Sequence, residues 1–279
     1  MFIRTPAVAG IFYPSSSAEL KKSIESSFND KYFGPGHIPP SKYKRRIFGI
    51  ISPHAGYAYS GTVAANGFYE ISSMPFDNVV MVGPNHYGIG TGVASMNNGI
   101  WETPLGQVEI NHDLSLEISK NSDIIDFNNF AHSKDHCLEV QIPFLQYIKK
   151  NVFKIVPVIL ILQDKETALE LGHSISKSIS DTNTLLIASS DFTHYEPNSE
   201  AHRKDNELIK TILSLDVSKF YLTLEGLGIS ACGYGAIAAI MTAAKDLGST
   251  RGELLKYATS GDVTGDTKAV VGYSSIIFI

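Results

Sequence analysis

The chain has 279 residues, 43% of them hydrophobic and 18% charged, which is enough apolar material for one large core or a tight pair of domains. Its formal net charge is −5 with Lys and Arg scattered rather than bunched, which excludes the electrostatic footprint of a nucleic-acid or anionic-membrane binder. The longest strongly apolar run, Phe153 to Leu162, is interrupted by Lys154 and Pro157 and falls short of the roughly 20 residues that cross a bilayer.

From the N-terminus, Met1 to Phe12 carries a single Arg4 and no basic region leading into a long apolar stretch, so it does not read as a secretory signal and a cytoplasmic protein is expected. In that compartment Cys137 and Cys232 are expected as free thiols. A helix is predicted over Ser17–Ser27, followed by a Gly-, Pro- and Lys-rich surface excursion from Asp30 to Lys44. Apolar runs at Arg46–Ser52, Asn78–Val82, Lys154–Leu162 and Thr184–Ser189 predict strands buried on both faces. Helical periods fall at Gly61–Ile71, Cys137–Lys149, Lys165–Ser180, Ser199–Leu213 and Ala231–Leu247. Val93–Ile110, with Trp101, Thr103, Pro104, Leu105 and Gly106, reads as a short β excursion. Leu254–Ser260 and Ala269–Phe278 are strands around the turn-rich Gly261–Asp266. Alternating strand and helix predicts an α/β layered sandwich on a mostly parallel, mixed sheet that finishes in an antiparallel pair.

In open α/β sheets, ligands gather beyond the carboxyl ends of the strands. Three predicted strands here each run into a histidine: Pro53-His54-Ala55-Gly56-Tyr57, Gly83-Pro84-Asn85-His86-Tyr87 and Asp191-Phe192-Thr193-His194-Tyr195. One such histidine is most simply a strand-end residue bonded to a neighbouring carbonyl. Three together predict a shared site for metal binding or proton transfer. Cys232 sits in the glycine-rich entry to an apolar helix. It reads either as a small buried hydrophobe or as a thiol whose pKa the helix N-terminus lowers. Cys137, at the start of an apolar segment, reads as packing.

The run Arg4-Thr5-Pro6-Ala7-Val8-Ala9-Gly10-Ile11-Phe12-Tyr13-Pro14 is followed by Pro53-His54-Ala55-Gly56-Tyr57-Ala58-Tyr59-Ser60-Gly61 and Gly83-Pro84-Asn85-His86. Asp135-His136-Cys137-Leu138-Glu139-Val140-Gln141-Ile142-Pro143-Phe144, Ser189-Ser190-Asp191-Phe192-Thr193-His194-Tyr195 and Cys232-Gly233 complete the series. In this number and order the motifs resemble the Memo family, also called AmmeMemoRadiSam system protein B. The resemblance implies one Memo-like domain over residues 1–279 and a three-layer sandwich similar to the class III extradiol dioxygenases, whose non-haem iron is held by two histidines and a glutamate. It implies His54, His86 and Cys232 as metal ligands, with His194 in the place of the dioxygenase acid/base and Asp191 beside it. Cysteine in place of the carboxylate puts ring cleavage in doubt.

A thiolate with two imidazoles suits copper or zinc and can hold iron; the resemblance implies iron or copper, iron first. Asp191 then either orients His194, reaches the metal or caps a turn. His136 lines the pocket, and Glu139 either supports a ligand histidine or is an ordinary first-turn carboxylate. Tyr57, Tyr87 and Tyr195 either wall a planar substrate or are ordinary strand-end residues. The expected function is a metal-dependent redox enzyme, dioxygenase-like, on an unidentified small substrate. The alternatives are a peptide- or phosphopeptide-binding module, as the resemblance allows, and a cysteine nucleophile, Cys232 activated by His194. The family's co-occurrence name implies a separate radical SAM partner, since this chain has no Cys-x₃-Cys-x₂-Cys run.

Overall fold

The computed structural model describes residues 2–41, 45–150, 152–180 and 182–279, so the Lys42–Lys44 end of the predicted surface excursion lies outside the described residues. In chain order the first half comprises β1 (Ile3–Arg4), α1 (Ser17–Asn29), β2 (Gly49–Ser52), α2 (Tyr57–Ile71), β3 (Asn78–Pro84), β4 (Val93–Ser95), β5 (Ile100–Thr103), β6 (Gly106–Ile110), α3 (His112–Lys120) and β7 (Ile125–Phe127). A single 3₁₀ turn, Glu139–Gln141, leads into α4 (Ile142–Lys149). Then come β8 (Lys154–Leu160), α5 (Lys165–Ile179), β9 (Thr184–Ser189), β10 (His194–Glu196), α6 (Asn198–Leu213), α7 (Val217–Leu227), α8 (Tyr234–Asp246), β11 (Gly252–Thr259), α9 (Ser260–Thr264) and β12 (Val270–Phe278).

The strands form one mixed sheet with the path β1-β5-β6-β8-β3-β9-β2-β12-β10. Its centre is parallel, β6-β8-β3-β9-β2, and β12 closes antiparallel on β2 with β11 antiparallel beside it. Alternate residues of each central strand enter opposite cores. Ile51, Val80, Val82, Val156, Val158, Leu186 and Ala188 face one core with α5, α6 and α8. Ile50, Val79, Met81, Ile155, Ile159, Leu185 and Ile187 face the other with α1, α2 and α4. The sheet is thus buried on both sides as the middle layer of a three-layer sandwich, which is why its strands read as continuous apolar runs.

The predicted strands fall where the apolar runs are, and several elements escaped the reading. α3 buries only Leu114, Ser115 and Ile118, and its start is set by Asn111, whose side chain accepts from Leu114 N. α7 begins at an Asp216 cap accepting from Lys219 N and ends at Gly228 with φ +58°, signals that act without a long apolar period. The turn-rich Gly261–Asp266 contains α9, closed by a capping box between Thr259 and Asp262. The predicted Cys137–Lys149 helix is split, because its first residues are held in an irregular loop by the contacts described below.

Candidate metal centre

β9 lies between β2 and β3, and the three run parallel. Their carboxyl ends deliver the His54 loop, the His86 loop and Ser189-Ser190-Asp191 to one edge of the sheet. Ser52 pairs with Ser189, so His54 leaves β2 level with the end of β9. A fourth segment, Asp135 to Leu138, arrives without a strand of its own. Its buried Asp135 Oδ2 accepts from His86 N at 2.7 Å, while Oδ1 lies 3.1 Å from His86 Nδ1 and accepts from Cys137 N at 3.0 Å. One carboxylate therefore ties His86 by both backbone and ring to the loop that carries His136.

The rings of His54, His86 and His136 converge, with centroids 5.1 Å (His54–His86), 5.3 Å (His54–His136) and 4.5 Å (His86–His136) apart. One ligand nitrogen from each lies within 4.8 Å of the other two, the span of donors about 2.0–2.3 Å from a shared ion. These three imidazoles form a group able to hold a metal ion. Cys232 stands next to one member of this group, its Sγ 3.1 Å from His54 Nε2. It is not one of the donors that all lie within 4.8 Å of one another, so the structure gathers His136 with His54 and His86 where the resemblance implied Cys232. His54 is the floor, 2% exposed, and His86 the rim.

Cys232 is placed by a close backbone approach. Gly233 N donates to Ser190 Oγ at 3.0 Å, Cys232 N donates to Asp191 O at 3.3 Å, and Asp191 N donates to Cys232 Sγ at 3.3 Å. A Cβ on Gly233 would meet Ser189 O at 2.5 Å, so a glycine is required for this turn to lie on the end of β9. Burial dominates the electrostatics. It pushes His54 well below the usual imidazole range, with the charge of His86 adding to the effect. Burial with the charges of His54 and His86 brings His136 down to about 3. Neutral imidazoles with free lone pairs are the metal-ligating form. Asp135 is lowered despite the burial that opposes it, because His86 bonds and balances its charge.

These features match a known pattern in sequence. A family model described as Memo-like protein matches residues 4–277. This chain belongs to the Memo family. A MEMO1 family protein of Nitrosopumilus maritimus is 50% identical over 99% of this chain and 100% of its own length. MEMO1 family proteins of Methanothermobacter thermautotrophicus and Methanocaldococcus jannaschii are 46% and 45% identical over 98% and 99% of the chain and 99% and 98% of theirs.

The remaining predicted site residues take varied places in this Memo-family chain. His194 Nδ1 lies 2.9 Å from Ser230 O, and its backbone N donates to Ser230 Oγ at 2.8 Å. A carbonyl only accepts, so Nδ1 carries hydrogen and Nε2 is left as the acceptor in the neutral ring. Asp191, buried, gives its Oδ1 to His54 N at 2.8 Å; it shapes the His54 loop rather than bonding the His194 ring. Glu139 is fully buried and spent on the N-terminal segment: it accepts from Arg4 Nη1 at 2.6 Å, Tyr13 Oη at 2.6 Å, Ala7 N at 2.9 Å and Val8 N at 3.1 Å. Arg4 also donates to His132 O and Asp135 O. The pair thus anchors the His136 loop without touching a ligand histidine.

Tyr57 is buried and donates to Val140 O at 2.7 Å, a core residue with no face on a substrate. Tyr87 and Tyr195 are exposed, and Tyr195 adopts φ +59°, a left-handed conformation that costs a non-glycine residue strain. The expectation that the helix N-terminus lowers the Cys232 thiol is overturned. Burial, then the charge of Asp191, pushes it upward, and the hydrogen bonds from the Asp191 backbone and Ser190 that lower it do not compensate. Cys137 behaves as expected: it is fully buried, with Sγ donating to Pro84 O. Asp135 follows no strand, so strand-end position does not single it out, although the Asp135-His136 motif contains it. Among the described residues, no helix is long and apolar enough to cross a membrane.

Proposed function

We propose that this protein is a metal-dependent oxidoreductase whose centre is built on His54, His86 and Cys232, with His136 as an added nitrogen donor beside His86. The observation that carries the reading is Cys232 Sγ 3.1 Å from His54 Nε2, at the edge of a group of three imidazoles drawn from separate loops. Two or three imidazoles with one thiolate suit iron, copper or zinc, and iron and copper are the redox-active choices. Such an ion would supply one-electron chemistry and, with a position left open, a place for a small substrate.

The chain's own residues prepare that position. Asp191 fixes the His54 loop by accepting from its backbone N, and Asp135 fixes His86 by backbone and ring. A cation deprotonates a coordinating thiol outright, so the raised thiol of Cys232 is compatible with ligation. It offers poor support for a free cysteine nucleophile, which needs thiolate before substrate arrives. His194, with Nδ1 given to Ser230 O, keeps Nε2 available to hold or move a proton on a bound substrate.

The test is anaerobic purification with metal analysis of wild type beside His54→Ala, His86→Ala, His136→Ala and Cys232→Ser. Near-stoichiometric iron or copper in wild type, lost in His54→Ala and His86→Ala, supports the reading. Wild-type protein that takes up no redox metal, or His54→Ala with unchanged metal content, sinks it. Tight peptide binding that survives Cys232→Ser without any oxygen-dependent turnover would favour a binding module instead.

A further inference from the structure

Ser189, the last residue of β9, lies beneath His54, and its hydroxyl is completely engaged. Gln141 Nε2 lies 2.9 Å from both Pro53 O and Ser189 Oγ. Because Pro53 O can only accept, the amide cannot be turned over, and Nε2 donates one hydrogen to each. Ser189 Oγ in turn donates its one hydrogen to Cys137 O at 2.6 Å. Its remaining neighbour is His54 Nδ1 at 3.0 Å. With its hydrogen committed elsewhere, the hydroxyl can only accept from that nitrogen. Ser189 and Gln141 are 0% and 1% exposed, so water does not compete for these bonds.

We infer that Ser189, oriented by Gln141 and the Cys137 carbonyl, is a positioning residue that holds neutral His54 as its Nδ1–H tautomer and presents the Nε2 lone pair toward Cys232 Sγ. The chain of donors is directional: Gln141 gives to Ser189, His54 gives to Ser189, and Ser189 gives to Cys137 O. Reversing His54 would set a bare Nδ1 against the lone pairs of Ser189 or strip Cys137 O of its donor, and either leaves a buried polar group unpaired. The same four groups join the ends of β2, β9 and the His136 loop, so the tautomer is set by the meeting of three segments. The inference rests on the metal reading only for its consequence, since a ligand histidine is strengthened when its other nitrogen is held by a fixed acceptor.

The experiment is a long-range ¹H–¹⁵N spectrum of the full chain labelled on histidine, metal-free at pH 7, with the His54 signals identified by their absence in His54→Ala. His54 is expected to carry hydrogen on Nδ1 and none on Nε2. A wild-type spectrum with hydrogen on Nε2 overturns the inference, whether or not any variant folds. Ser189→Ala is expected to lose the single tautomer and to bind zinc, used alone as the probe, about 10–100-fold more weakly. Ser189→Thr, which keeps the hydroxyl, is expected to restore both. An unchanged tautomer together with unchanged zinc affinity in Ser189→Ala overturns the role of Ser189. Wild-type protein that binds no metal defeats the proposed function instead, while the spectrum still decides the tautomer.

Discussion

Replacing Glu139 with Ala removes one carboxylate that satisfies four donors: Arg4 Nη1, Tyr13 Oη, Ala7 N and Val8 N. Arg4 is 2% and Glu139 0% exposed, so the guanidinium would be left charged in the interior. Breaking such a pair from one side costs about 3–5 kcal/mol, and the two orphaned amides push the loss toward the upper end. At about 2–4 °C per kcal/mol for chains somewhat shorter than this one, a loss of about 4 kcal/mol lowers the melting temperature by roughly 8–16 °C. Thermal unfolding followed by circular dichroism measures it, with urea titration for the free energy. Removing both partners, Arg4→Met with Glu139→Ala, should cost at least about 1 kcal/mol less than the sum of the single changes, since the residues share one network. A fall of under about 3 °C for Glu139→Ala, or strict additivity in the double variant, would refute the view that this buried pair anchors the His136 loop.

Asp135→Asn, which removes the charge that holds His86, should weaken zinc binding about 10–100-fold while leaving the far-ultraviolet spectrum unchanged; equal affinity by competition titration would count against its role. Gly233→Ala puts a Cβ 2.5 Å from Ser189 O, and the forced shift of the Cys232 turn should cost about 1–3 kcal/mol in urea unfolding and lower metal occupancy. An unaltered midpoint would show that the turn is free to move. His132 is buried, and burial followed by the Arg4 charge lowers its pKa from 6.5 to about 3. The unfolded chain therefore binds the proton more readily between these values. The stability His132 confers is complete above pH 6.5 and declines as pH falls toward 3, by on the order of 5 kcal/mol in all. His132→Gln should flatten the acid limb of stability against pH, and parallel curves for variant and wild type would exclude this account.

Local chemistry carried much of this protein. Continuous apolar runs at Asn78–Val82 and Thr184–Ser189 read as strands buried on two faces, and the placing of His54 and His86 directly after such runs brought them to one edge of the sheet, whereas His194, read from the same kind of position, is not among the three imidazoles that converge there. The Memo-like motifs, spread over nearly the whole chain, pointed to Cys232, which strand-end logic alone would have left as a buried thiol. Tertiary structure decided which groups meet. β9 inserts between β2 and β3, so Ser189 comes to lie under His54, and no spacing along the chain encodes that contact across 135 positions. The strandless loop at Asp135 is held by Arg4 from 131 residues away, which is why His136 joins the imidazoles and Glu139 turns from them. Protonation, too, belongs to the folded state: burial beside Asp191 raises the thiol of Cys232. Periodicity and strand-end position are properties of the chain itself; hydrogen-bond partners and desolvation exist only once distant segments close on one another.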